Sequence, residues 1–61
     1  MKRQYYVLAN TGAGDPCFEW NFERYDSFAE AEALAEDVLV DNKGIYETWV
    51  GYEDVEEYYS H

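Results

Sequence analysis

The chain has 61 residues, with fourteen acids against four bases, a formal net charge of −10 at pH 7 and 20% aromatic residues. That length holds one small domain, near the size at which burial only just offsets chain entropy, and the aromatic share argues for a fold despite the charge. The charge excludes nonspecific binding to nucleic acid or anionic membranes and favours basic partners.

Lys2 to Asn10 reads as the first strand, with Tyr5, Tyr6, Val7 and Leu8 in a β-favouring run. Tyr6 and Leu8 share one face, Tyr5 and Val7 the other. Residues Thr11 to Pro16 hold two glycines and the only proline, which marks a hairpin connection. No Lys-Ser/Thr continuation or directly following helix supports a phosphate-cradling loop there. Cys17 to Arg24 then alternates, so that Phe18, Trp20 and Phe22 point inward to form the centre of the core while Glu19, Asn21 and Glu23 point outward.

Ser27 to Lys43 carries the helix. Ser27 is placed to accept the N–H of Glu30, and the Glu30 carboxylate to reach back, as in a capping box. Phe28, Ala31, Leu34, Ala35, Val38 and Leu39 fall on one apolar stripe. Measured from Phe28 at about 100° per residue, Glu30, Asp37 and Asp41 cluster near 180–220° and Glu32 and Glu36 near 40–80°, two acidic rows flanking the stripe. Lys43 is the one base near enough in sequence to pair with any of them. Asn42, Lys43 and Gly44 form the stop, with Gly44 free to take the left-handed conformation.

Ile45 to Tyr52 is the third strand, and two facings are open: Tyr46, Thr48 and Val50 inward, or Ile45 and Trp49 inward. The first is preferred, because the second sets Glu47 between two core positions. Trp49 then lies on the open face of the sheet. The tail, Glu53 to His61, has four acids in its first five residues and is expected as a short turn or helix docked on the open face, or as a frayed end. The order implies an α+β fold: a two-layer ββαβ arrangement, a three-stranded antiparallel sheet with one helix on one face.

Chemistry-bearing constellations are sparse. Glu32 with Glu36, or Glu56 with Glu57, would need a pKa-shifting environment to act as an acid–base couple, and solvent-facing positions do not supply one. Cys17 has no histidine besides the terminal His61, which in turn has no second ligand for a metal. A lone cysteine excludes an internal disulfide and fits a reducing compartment. The start MKRQYYVLAN lacks the apolar core of a signal peptide, and no apolar run could span a bilayer, so the cytoplasm is the expected location. The chain is expected to be a non-enzyme without cofactor or metal.

The acids that remain are Glu30, Glu32, Glu36, Asp37 and Asp41 on the helix, with Glu53, Asp54, Glu56 and Glu57 in the tail, and these are the candidate partner-binding residues. A compact domain carrying such rows resembles, in size, charge and tyrosine content, the nucleic-acid-mimicking inhibitors encoded by bacteriophages, which include many anti-CRISPR proteins. The resemblance implies a non-catalytic inhibitor in the cytoplasm of a bacterial host. It would occupy the basic nucleic-acid-binding site of a protein complex, such as the DNA-recruiting surface of a CRISPR effector, without touching nucleic acid or membrane itself. Duplex DNA carries about one charge per 1.7 Å of axis, and acids at four- and seven-residue helical spacing stand about 6 and 10 Å apart. The second reading, from a different class, is an acidic interaction or homodimerisation domain working through an exposed aromatic sheet face lined by Tyr5, Val7, Trp49 and Tyr25, or through the exposed edge of the third strand.

Overall fold

A computed structural model of the chain describes residues 2–55. Its elements are β1 (Lys2–Asn10), β2 (Phe18–Glu19), α1 (Phe28–Asp41) and β3 (Glu47–Val55), in the expected ββαβ order. The strands form one antiparallel sheet in the order β2-β1-β3, and α1 covers one of its faces, an α+β fold. The expected turn or helix at the end of the tail, with Glu56 and Glu57, lies outside the described residues.

Strand β1 is central, and its two faces have different roles. Val7 and Ala9, both 0% exposed, face the helix together with Tyr5, whereas Tyr6 and Leu8 face away, opposite Gly51 and Trp49 of β3. The alternation of β1 is therefore as expected, but its sense is reversed: Val7 is the largest fully buried side chain and not a surface residue. Tyr5 meets Phe28 of the helix edge-on at 6.0 Å. The reason lies in α1, whose contact row is Ala31, Ala35 and Val38. Such small side chains let the helix axis approach the sheet closely, so a Val and an Ala fill the gap where larger groups would overpack it. The approach is close enough for the Thr48 hydroxyl to donate to the Ala35 carbonyl at 3.0 Å.

The helix starts at the expected cap, with the Ser27 Oγ accepting the Glu30 N–H at 3.2 Å. It ends differently. Asn42 is the C-cap in an extended conformation, its side-chain Nδ2 and its backbone N–H both donating to the Val38 carbonyl, at 2.9 and 3.1 Å. The left-handed turn expected at Gly44 is absent; the chain leaves the helix through the extended Asn42 instead, in a turn where the Ile45 N–H donates to the Asn42 carbonyl at 3.1 Å.

The segment expected as a long second strand departs most from expectation. Only Phe18 and Glu19 are regular strand. Leu8 opposes Glu19, so unbroken pairing would set Phe22 opposite Tyr5, yet Tyr25 occupies that place. Three additional residues are thus inserted, and the chain turns through Asn21 and Phe22, both left-handed at φ 56° and 55°. Asn adopts that region readily; for Phe it costs about 1–2 kcal/mol. Backbone bonds on both sides fix the excursion, Trp20 N–H to Val7 O and a reciprocal pair between Tyr5 and Tyr25, all at 2.8 Å. Of the three aromatics expected at the core centre, Trp20 packs against the core, whereas Phe18 is 42% and Phe22 77% exposed.

Strand β3 begins two residues later and ends three residues later than expected. Thr48 and Val50 face the helix, as preferred from the sequence, and Trp49 lies opposite Leu8 on the other face. Tyr46 precedes the ladder and is 54% exposed, not inward. Asn10, only 5% exposed, holds this junction: its Oδ1 accepts the Glu47 N–H at 3.1 Å and its carbonyl accepts the Tyr46 N–H at 2.8 Å.

Candidate functional site

All five acids of α1 named from the sequence, Glu30, Glu32, Glu36, Asp37 and Asp41, are exposed. Among the described residues, the cations in ion pairs are Lys2 with Asp26, Arg3 with Asp54, and Arg24 with Glu19 and Glu53, so no cation neutralises the helix acids. The fold separates their two rows. Glu32 and Glu36 border a cleft of about 280 Å³ between α1 and β3, lined also by Phe28, Ala35, Leu39, Thr48, Trp49 and Val50. Glu30, Asp37 and Asp41 stand roughly 140° around the helix from that row, away from the cleft. A flat partner surface can engage one row fully, and the other row only by wrapping.

The acids expected in the tail have a different fate. Glu53 and Asp54 belong to β3, where they pair with Gln4 and Arg3 of β1. Asp54 accepts from Arg3 Nε at 2.9 Å, and the guanidinium holds its carboxyl below the usual carboxylate range. Arg3 also lies 4.4 Å over the ring of Tyr52. Glu53 accepts from Arg24 Nε at 2.6 Å. These two carboxylates are already matched, so they add little free charge to an acidic surface.

Arg24 organises the sheet face turned away from the helix. Its Nη1 reaches Glu19 of β2 at 2.8 Å, its Nε reaches Glu53 of β3, and its guanidinium carbon sits 4.6 Å from the ring centroid of Tyr6 on β1. One side chain therefore bridges all three strands. The excursion at Asn21 and Phe22 is what delivers it there, since Tyr25, the next residue, returns to the helix side beside Tyr5. The ring of Tyr6 lies against Gly51, where a Cβ would come within 2.6 Å of it. The aromatic face expected from Tyr5, Val7, Trp49 and Tyr25 does not form. Three of these face the helix, and Trp49, 40% exposed, shares the open face with Tyr6 and Leu8.

The Tyr25 hydroxyl donates to Glu23 Oε2 at 2.7 Å. That bond, reinforced by partial burial and by the charges of Glu23 and Glu30, pushes its pKa up to about 12. The proton stays on the phenol, which donates to an exposed carboxylate. Cys17 is exposed, and among the described residues no cluster of three or more His, Cys, Asp or Glu is placed to hold a metal ion. Nor is any described helix long and apolar enough to cross a membrane.

Sequence reasoning missed the roles of Arg24, Arg3 and Asn10. The scarcity of bases was the available signal: with four in the chain, each has several acids to choose from, and among the described residues Lys2, Arg3 and Arg24 are ion-paired. Among the described residues, these pairs leave the helix acids without a cation within ion-pair distance. No protein-family model, curated protein or solved structure matches the chain.

Proposed function

We propose that the protein is a non-catalytic binder that uses the acids of α1 to occupy a basic, nucleic-acid-binding surface of a partner protein, in the manner of the phage-encoded mimics it resembles in size and charge. The observation that carries this reading is the helix itself, five exposed carboxylates without a cationic partner among the described residues, on an element whose geometry is fixed by its cap and its packed row of Ala31, Ala35 and Val38. Uncompensated like charges cost stability, and a partner that neutralises them recovers it. The cytoplasm of a bacterial host, with a DNA-recruiting CRISPR complex as one such partner, is the setting that this reading implies.

Mimicry of phosphates makes the bound partner displaceable by duplex DNA and the affinity steeply salt-dependent. The test is capture of partners from a bacterial lysate on the immobilised protein, with elution by a duplex oligonucleotide. A Glu30→Lys/Asp37→Lys/Asp41→Lys variant and a Glu32→Lys/Glu36→Lys variant run in parallel. The expected result is DNA-eluted partners on the parent and their loss on at least one variant. Partners that persist on both variants, or that DNA does not release, would overturn the reading.

A further inference from the structure

We infer that the outer edge of β3, together with the cleft beside α1, is a strand-addition site for an extended, basic segment of a partner protein. This rests on the reading of the protein as a binder of basic partners and names the part of the partner that would be held. Among the described residues, β3 pairs with β1 alone, over nine residues, so its other edge presents a row of unpaired N–H and C=O groups about 30 Å long. Edges of this kind are normally blunted by charged side chains, Pro or a bulge; ETWVGYEDV has no Pro and an unbroken register, and its charges, Glu47, Glu53 and Asp54, are all acidic, so they oppose an acidic or neutral strand but not a basic one.

What lies beside the edge defines the occupant. An added strand turns alternate side chains to the helix side, where Phe28, Leu39 and Val50 line the cleft and Glu32 and Glu36 form its acidic rim. Phe28 and Leu39 are 49% and 42% exposed there, half-covered apolar surface in a chain with few large buried side chains. A Lys or Arg in that row would lay its stem along them and carry its charge to the glutamates. On the opposite face, the exposed carboxylate of Glu47 and the ring of Trp49 offer a charge and a π-face to further cations. A second copy of this chain is a poor occupant: pairing β3 with itself would add a second strand carrying Glu47, Glu53 and Asp54 and bring together two bodies of charge −10.

The probe is a fluorescein-labelled octapeptide of alternating Val and Lys, with two relatives N-methylated at the odd or the even positions. The three carry the same charge, but each methylated peptide lacks donors along one edge only. Anisotropy should show one methylated form binding at least tenfold more weakly than the other, since strand addition uses one edge of the incoming chain. Amide exchange of β3 should slow at least tenfold at alternate residues in the bound state. Glu32→Gln/Glu36→Gln, at exposed positions that leave the fold intact, should weaken binding several-fold. Equal binding of both methylated peptides, protection confined to the Glu30, Asp37 and Asp41 row, or no binding at all would overturn the inference. Concentration-dependent self-association that protects the same β3 amides would assign the edge to a second copy and overturn it as well. If DNA-eluted partners persist while the peptides fail, strand addition alone is refuted. If the peptides behave as stated while both lysine variants keep their partners, the mimicry reading is refuted instead.

Discussion

The guanidinium of Arg24 and the carboxylate of Glu53 meet at 2.6 Å across the open face of the sheet, joining residues that are 29 positions apart in the chain. Strand β1 lies between them, and its Tyr6 ring is sandwiched between Arg24 and Gly51. Arg24 thereby ties the irregular segment after β2 to the far edge strand, a connection that the short ladder of β2 could not make alone.

Replacing Arg24 with Ala should cost about 1–2 kcal/mol, a figure discounted for the solvent reaching Glu53. The side-chain exposures, 29% for Arg24 and 45% for Glu53, place this pair between surface and interior. Arg24→Lys should recover less than half of the loss, because a point charge cannot serve Glu19, Glu53 and the Tyr6 ring at once. Urea denaturation of the three proteins checks this; full recovery by Lys would mean that only the charge matters.

Gly51→Ala places a methyl group within 2.6 Å of the Tyr6 ring and should destabilise by about 1–3 kcal/mol, as overpacking does. Adding Tyr6→Ala should remove most of the incremental cost, since the clash disappears with the ring. The double-mutant cycle, read from thermal midpoints, gives a coupling near zero, with the two costs simply adding, if Gly51 is needed for its backbone freedom and not for the approach of Tyr6.

Loss of the buried amide in Asn10→Ala leaves the Glu47 N–H without its acceptor and should cost about 1–3 kcal/mol. Hydrogen exchange should localise the effect, with the amide of Glu47 exchanging faster while those at the Val7 and Val50 pairing stay protected.

Tyr25 should give a late step in the alkaline absorbance titration of the seven tyrosines, near pH 12, that is missing in Tyr25→Phe. The folded pKa lies above the ordinary value of 10.0, so the folded state holds the proton more tightly than the unfolded chain does. The stability from this bond is complete below about pH 10 and is lost as pH rises toward 12. A parent and a Tyr25→Phe protein with parallel stability profiles across that window would show that the Glu23 bond does not form in solution.

Local signals in the sequence determined a good deal of this protein. The β1 run, the Gly- and Pro-containing connection, the Ser27 cap and the three- and four-residue spacing of α1 each act over a few residues, and each stands where local chemistry puts it. The exposure of the five helix acids follows from the same periodicity. Tertiary structure decided what depends on fit between elements. The close approach permitted by Ala31 and Ala35 turned Val7 inward and left Phe18 and Phe22 outside, because shape selects among apolar residues once hydrophobicity has been satisfied. Pairing along β1 extended β3 through Glu53 and Asp54, which looked like tail when read alone. The choice among many carboxylates by so few bases was likewise settled by distance: Arg24 can reach Glu19 and Glu53 only because the left-handed turn at Asn21 and Phe22 carries it to the open face, and no periodicity in the chain encodes that turn.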